Sequence, residues 1–446
     1  MSEWKKVKIG DFLTEREGRY KPDDSKISKY KRLDKIDFSG TIHISDKPTK
    51  TDMIIVHPGD LVISGINVAK GAVAVYQGNE PVCATIHYSS YTFDSLKVDL
   101  DYFKYFVKSP AFIAALQKQV KGGIKTEIKP KHLLPLEISI PDLQTQQEIV
   151  KEISLQLQKT EQLSIEIESQ KNYIKQLRQN ILQDAIEGKL TADWRKQNPV
   201  QKSNPDYDAE ALFEQIQKER SIEKKQKVLS PITDEEKPFE IPGGWKWVRL
   251  GDISDIVRGG SPRPAGDKNY YDGKIPFLKV ADITNSDEKE LWTYTYTIKE
   301  AGLKKTRFVE KETLMLTNSG ATLGIPKICM IATTFNDGIA AFLDIKNRIT
   351  KEYLYYFLKS KTQWFLKEAA KGQGQPNLNT DIISSTVFAL PPLTEQKEVV
   401  TLVEKHLQTI SDLENQITER EQLTKQLMQS ILKDAFEEKK IDFTRV

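Results

Sequence analysis

The chain has 446 residues, of which 38% are hydrophobic and 29% charged, and a mean hydropathy of −0.50. This length exceeds one ordinary core and predicts two to four domains, and the composition suits a soluble protein without a membrane span. The opening MSEWKKVKIGDF lacks an apolar signal-peptide core, and Cys83 and Cys329 lie far apart without a further Cys or His at ligand spacing, so the expectation is a cytoplasmic protein with neither a disulfide framework nor a metal site.

The net charge of +3 is unevenly spread. Residues 1–140 carry 22 Lys and Arg against 17 Asp and Glu, and residues 241–390 carry 21 against 16, so each segment is +5 and the remainder is acidic. Two basic bodies joined by acidic connectors suit contact with DNA at two places, because phosphate neutralisation releases counterions, although ordinary surface charge explains the same numbers.

In chain order, the first body opens on Val-x-x-Gly-Asp at 7–11. It continues through short apolar or alternating runs at 53–56, 61–64, 72–76 and 82–87 that read as strands between Pro and Gly breaks, and reaches a helix over 102–119. After Pro141 the pattern becomes a heptad seam: Ile149, Ile153, Gln156, Thr160, Leu163, Ile167, Gln170, Ile174, Leu177 and Ile181. A connector rich in Pro, Lys and Glu follows over 191–244, with a helix expected at 208–225.

The second half then repeats the first at an offset near 250 residues. KQLRQNILQDAIEGK at 175–189 matches KQLMQSILKDAFEEK at 425–439, IPDLQTQQEIV at 140–150 matches LPPLTEQKEVV at 390–400, and VKIGDF at 7–12 resembles VRLGDI at 248–253. The seam recurs as Val399, Val403, His406, Ile410, Leu413, Ile417, Arg420, Thr424, Leu427 and Ile431. The resulting reading is an α+β chain with two similar mixed α/β domains at 1–141 and 245–391. Long helices at 142–190 and 392–440 pair as an antiparallel coiled coil with approximate internal twofold symmetry, and the connector occupies 191–244.

Catalytic signatures are missing. No G-x-x-x-x-G-K-[ST] loop, adenine-methyltransferase Asn/Asp-Pro-Pro-aromatic motif or H-E-x-x-H pair occurs, and the glycines at 372 and 374 lead into Gln375 and Pro376 rather than a dinucleotide fingerprint. The triplet from Glu127 to Lys129, with Pro22-Asp23 upstream, has the form of a nuclease motif. The second copy has Asn377-Leu-Asn379 there, so no duplicated active site is expected.

The segments FEIPGGWKWVRLGD at 239–252, LPPLTEQ at 390–396 and GKLTADWR at 188–195, taken with the duplication, resemble the specificity subunits of type I restriction-modification enzymes over nearly the whole chain. That resemblance implies a subunit without catalysis of its own. Each of two target recognition domains would read one half of a split site in double-stranded DNA, with the long helices setting the spacing and docking two modification subunits. It places S-adenosylmethionine, ATP and Mg in the modification and the restriction or motor partners, with no cofactor in this chain and no membrane.

The candidate DNA-binding residues lie on loops: Ser64 and Asn67, Lys121 and Lys125 in the first body; Arg258, Ser261 and Arg263, Asn318 and Ser319, and Lys371, Gln373, Gln375 and Asn377 in the second. Arg suits guanine, Asn and Gln suit adenine, and Lys suits phosphate. Two other readings stay open at this point. A methyltransferase or nuclease fused to its own reader is disfavoured by the missing motifs, and a coiled-coil scaffold leaves two basic variable bodies unexplained.

Overall fold

The computed structural model describes residues 4–38, 40–67, 72–119, 128–223, 229–345, 347–369 and 377–436. The chain divides into two compact units, one formed by 1–170 with 416–446 and the other by 171–415. Each long helix therefore gives its first part to one unit and its last part to the other.

The repeated anchors at the two ends of each body prove to be partners. In the first unit Lys5–Lys8 pairs antiparallel with Glu137–Ile140, placing Val7 opposite Ile138. In the second, Lys246–Arg249 pairs with Val387–Leu390, placing Val248 opposite Phe388. The Gly-Asp that follows each opening strand turns the chain. Asp11 accepts from the Lys8 N–H at 2.9 Å, and Asp252 from the Arg249 N–H at 2.8 Å. The glycine of the same motif packs against the turn before the closing strand. A Cβ on Gly10 would lie 3.1 Å from the Leu134 carbonyl oxygen, and one on Gly251 would lie 3.0 Å from the Ser384 Cβ.

Between these clasps each body folds into two sheets. In the first body one sheet runs Leu13–Glu15, Tyr88–Phe93, Leu61–Ser64, Val73–Val75, and the other Ile42–Ser45, Arg32–Ile36, Val82–Thr85, Met53–Val56. The second body repeats both orders, as Asp255–Arg258, Ile339–Leu343, Thr313–Thr317, Pro326–Cys329 and as Tyr296–Ile298, Tyr271–Leu278, Thr333–Phe335, Arg307–Val309. It adds one edge strand, Glu290–Leu291, beside Pro326–Cys329. The duplication seen in sequence is thus a duplication of topology, and all four strand runs expected in the first body are present.

One helix differs from its expected form. The 102–119 segment is two helices, Leu100–Phe106 and Pro110–Gln119, whereas the second copy has the single helix Arg348–Ala369. Pro110 is the reason. It has no N–H to continue the ladder and it disfavours helical backbone at Ser109, while the second copy has Lys361 after the matching serine. The Ser109 hydroxyl instead donates to the Phe106 carbonyl at 2.6 Å.

Both long helices, Leu143–Ile186 and Leu393–Phe436, contain 44 residues, about 66 Å at the usual rise. They start in the same way: Gln146 donates back to the Pro141 carbonyl at 2.8 Å and Gln396 to the Pro391 carbonyl at 2.9 Å, from buried positions. Their pairing is antiparallel within each unit. In the first, Ile149 and Ile153 share a core with Ile431 and Phe436, and in the second, Arg178 meets Glu414 at 2.9 Å.

Of the twenty seam positions twelve are buried, and beyond Ile149 and Val399 these keep one register. Ile153, Thr160, Ile167, Ile174 and Ile181, with Val403, Ile410, Ile417, Thr424 and Ile431, are buried at seven-residue spacing, while Leu163, Leu177, Leu413 and Leu427 stay exposed. The two buried threonines satisfy themselves on their own helices, Thr160 on the Leu157 carbonyl and Thr424 on the Arg420 carbonyl, both at 2.8 Å. The connector helix spans Ala209–Glu223, inside the expected range. Among the described residues no helix is long and apolar enough to cross a membrane.

Candidate nucleic-acid interface

In the second body three of the candidate segments meet on a turn that composition did not single out, Asn336-Asp337-Gly338. The Arg258 Nε donates to the Asp337 carbonyl oxygen at 2.5 Å, the Ser261 hydroxyl to the Asp337 carboxylate at 2.7 Å, and the Arg263 guanidinium stands 3.8 Å from that carboxylate. The Ser261 hydrogen bond, more than the Arg258 and Arg263 charges, holds the Asp337 carboxyl below its ordinary value. With the folded-state value depressed, the stabilisation is present above the unfolded carboxylate range and is lost as pH falls through the folded-state value. Behind the turn, the Asn318 N–H donates to the Gly338 carbonyl at 2.9 Å, the Leu378 N–H donates to the Asn318 carbonyl at 2.8 Å, and Ser319 bridges Asn377. A Cβ on Gly338 would stand 2.6 Å from the Val280 Cγ2 and 2.9 Å from the Ser319 hydroxyl oxygen, so any side chain here would have to displace those two groups.

The first domain has the same frame. The Gly65 N–H donates to the His87 carbonyl at 2.9 Å and the Ile128 N–H to the Gly65 carbonyl at 2.8 Å, the bonds that Asn318 makes in the second copy. Ser64 ends its strand and is buried, and Asn67 sits partly exposed in the turn that follows. Asn318 is fully buried and neither end of its side-chain amide has a hydrogen-bond partner, whereas Gly65 presents no side chain on the matching frame. Arg258, Arg263 and Asn377 are exposed, and Ser261 and Ser319 are half-buried. Lys121, Lys125, Lys371, Gln373 and Gln375, together with Glu127 of the nuclease-like triplet, lie outside the described residues.

Asp337 was missed because Asn-Asp-Gly reads as an ordinary turn and a carboxylate is not sought where contacts to phosphate are expected. Its placement gives a prediction. Asp337→Asn keeps the shape and the carbonyl that Arg258 bonds, while removing the negative charge beside the Arg258 and Arg263 guanidiniums, so affinity for unrelated duplex should rise several-fold, its salt dependence steepen and discrimination against unrelated sequence narrow. Anisotropy titrations at several salt concentrations measure this, and an unchanged ratio of specific to unrelated binding would remove Asp337 from the interface.

The segments that carried the family resemblance also converge, in the second unit, on Glu395. This buried carboxylate accepts from the Thr191 hydroxyl at 2.6 Å, from the Arg195 guanidinium at 2.5 Å and from the Trp245 indole N–H at 2.8 Å. GKLTADWR, PGGWKW and LPPLTEQ are therefore one structural knot. In the first copy Thr145 takes the place of Glu395 and Trp4 that of Trp245. Among the described residues no group of three His, Cys, Asp or Glu side chains gathers as a metal site.

Comparison with known proteins fits this geometry. The sequence model of the family described as "Type I restriction modification DNA specificity domain" matches residues 1–174 and 242–423, one stretch in each copy. The chain belongs to this family. Among curated relatives, the EcoEI specificity subunit of Escherichia coli is 27% identical over 256 residues, covering 55% of this chain and 42% of that protein. The MjaIX specificity subunit of Methanocaldococcus jannaschii is 29% identical over 167 residues, covering 37% of this chain and 38% of that protein. The chain thus spans about two-fifths of the length of these relatives. In fold, it resembles the HsdS subunit from Thermoanaerobacter tengcongensis with a TM-score of 0.51 at 18% identity, covering 97% of this chain and 96% of that one. A chain from a structure concerned with assembly and conformational transition of the type I R-M system gives 0.56 at 17% identity, covering 97% of each chain.

Proposed function

We propose that the chain reads a bipartite DNA sequence for a type I restriction-modification complex, each recognition domain taking one half-site, and that it performs no chemistry itself. One observation carries this reading. Two copies of a single main-chain frame, at Gly65 with Ile128 and at Asn318 with Leu378, hold different side chains on matching positions, as two readers of different sequences require. The basic charge of both bodies supports it.

The long helices set the gap between half-sites and dock two modification subunits. The exposed seam residues Leu163, Leu177, Leu413 and Leu427 offer apolar surface suited to that docking. The modification subunits hold S-adenosylmethionine and flip the target adenine, and restriction subunits use ATP with Mg. The recognition domains occupy 1–141 and 245–391, and the complex works in the cytoplasm.

The decisive experiment is methylome sequencing with the chain and its modification subunit. A split motif is expected, and a continuous one would overturn the reading. The same experiment tests the loops. Gln375→Ala with Asn377→Ala should change base preference at one half-site and leave the other as it was, since the two readers are separate. Equal loss at both would make these residues supports for folding or general phosphate contacts.

A further inference from the structure

The edge strand Glu290–Leu291, which among the described residues has no counterpart in the first body, leads into Trp292, Tyr294 and Tyr296, which are exposed by 60%, 45% and 41%. Single exposed apolar side chains are ordinary on protein surfaces, but three large aromatics at alternate positions within five residues are not. The segment is also held firmly. Asp282, buried, accepts from the Thr295 N–H at 3.0 Å, from the Thr295 hydroxyl at 2.5 Å and from the Lys279 N–H at 2.8 Å. At the other end the Trp292 indole donates to Glu290 at 3.1 Å, and Glu290 is in turn held by Arg348 at 2.5 Å. Ordering these rings before binding lowers the entropy lost when a partner arrives.

Two features indicate the partner. The Lys279 ammonium lies 3.4 Å from the centroid of the Tyr296 ring, so the strip has a cation on its aromatic face. The strip is also continuous with the Asp337 turn. The Asn336 N–H donates to the Leu278 carbonyl at 2.9 Å, and a Cβ on Gly338 would come within 2.6 Å of Val280. Lys279, the residue after Leu278, thus stands beside the turn that gathers Arg258, Ser261 and Arg263.

We propose that Lys279, Trp292, Tyr294 and Tyr296 form a sequence-independent clamp on duplex DNA flanking the second half-site, the rings packing on deoxyribose and base edges and the ammonium meeting a phosphate. This rests on the DNA-reading function above and extends it to a surface that specifies no base. Phosphate and sugar contacts fix register on a duplex, so the clamp orients the reading loops rather than choosing their sequence.

The test uses the full chain assembled with its modification subunit, titrated with a fluorescent duplex carrying the recognised site and with a scrambled duplex, across a range of salt. Trp292→Ala with Tyr294→Ala should weaken binding to both duplexes about tenfold, the scale of losing the burial of a large apolar side chain, and keep the salt slope, because the lost contact is not ionic. Lys279→Ala should reduce the slope by about 0.9, the loss of one phosphate contact. Trp292→Phe, which retains an aromatic face, should bind within about twofold of the parent and guards against a folding defect. Parent-like binding by the double alanine variant overturns the clamp, as does weakened assembly with the modification subunit at unchanged DNA affinity, which would make the strip a protein interface. A parent complex that binds neither duplex overturns the DNA-reading function itself, and the clamp with it.

Discussion

Replacing Glu395 with Ala should destabilise the second unit by about 3–5 kcal/mol, the usual cost of breaking a buried ion pair from one side. The size follows from what is left behind. Arg195 loses its carboxylate, the Trp245 indole N–H and the Thr191 hydroxyl lose an acceptor, and all three lie in a region where Thr191, Trp245 and Glu395 are buried. Glu395→Gln keeps the shape and one acceptor oxygen, so a smaller loss of about 1–2 kcal/mol is expected. Thr145→Ala, at the matching position of the first copy, should cost less again, since Thr145 is half-buried and both its N–H, at 2.9 Å, and its hydroxyl reach the exposed Asp142 rather than a buried ion pair.

Because the chain has two units, a single melting midpoint would blend them, and hydrogen exchange read by segment is the better measurement. Protection should fall in Glu395→Ala around 188–195, 243–249 and 387–397, while the clasp of Lys5–Lys8 with Glu137–Ile140 keeps its own. A loss below about 1 kcal/mol would mean that the knot is held by backbone geometry and not by this carboxylate.

The repeat made much of the architecture legible. Matching the two copies located both bodies and both long helices, and apolar runs within the first copy located four strands, because apolar alternation and heptad spacing are local signals. What the sequence hid is what depends on partners distant along the chain. Val-x-x-Gly-Asp and the Pro-bounded run were visible as repeated anchors, yet their pairing as one two-stranded clasp requires contacts about 130 residues apart. The 4-3 spacing named ten seam positions per helix, but Leu163 and Leu413 are as apolar as Ile167 and Ile417, and periodicity alone does not say which set faces inward. Proline at 110 was in plain view. Its effect was overlooked because apolar periodicity continues on both sides of it.

At the site, loop composition pointed to residues 258–263 and 318–319 and to Asn377, which do come together. The element that joins them, Asp337, carries the opposite charge to the one sought. The aromatic strip was passed over because exposure, which makes Trp292 and Tyr294 informative, is not written in residue type.

Inserting one heptad after Gln170 and another after Arg420 should preserve folding, keep both half-site sequences and widen the preferred gap between them by roughly three base pairs. Seven residues add about 10.5 Å of helix, against about 3.4 Å per base pair of duplex. Both insertions fall close to the division between the two units, where each helix passes from its contacts in one to its contacts in the other. A seven-residue step also keeps the buried layer in phase. Ile153, Thr160, Ile167 and Ile174, with Ile410, Ile417, Thr424 and Ile431, bury one residue per heptad, so the added turns present the same face.

Inserting four residues in each helix would instead rotate that face. It should lower stability as well as disturb spacing, which separates a ruler from a mere tolerance of added length. Three base pairs also turn the duplex by nearly a third of its roughly 10-base-pair repeat, so some affinity should be lost even when the spacing is met. Methylome sequencing of cells carrying the variant with its modification subunit measures the result directly. A folded, assembled variant that still marks sites with the original gap would show that the spacing is set elsewhere than in the helix pair.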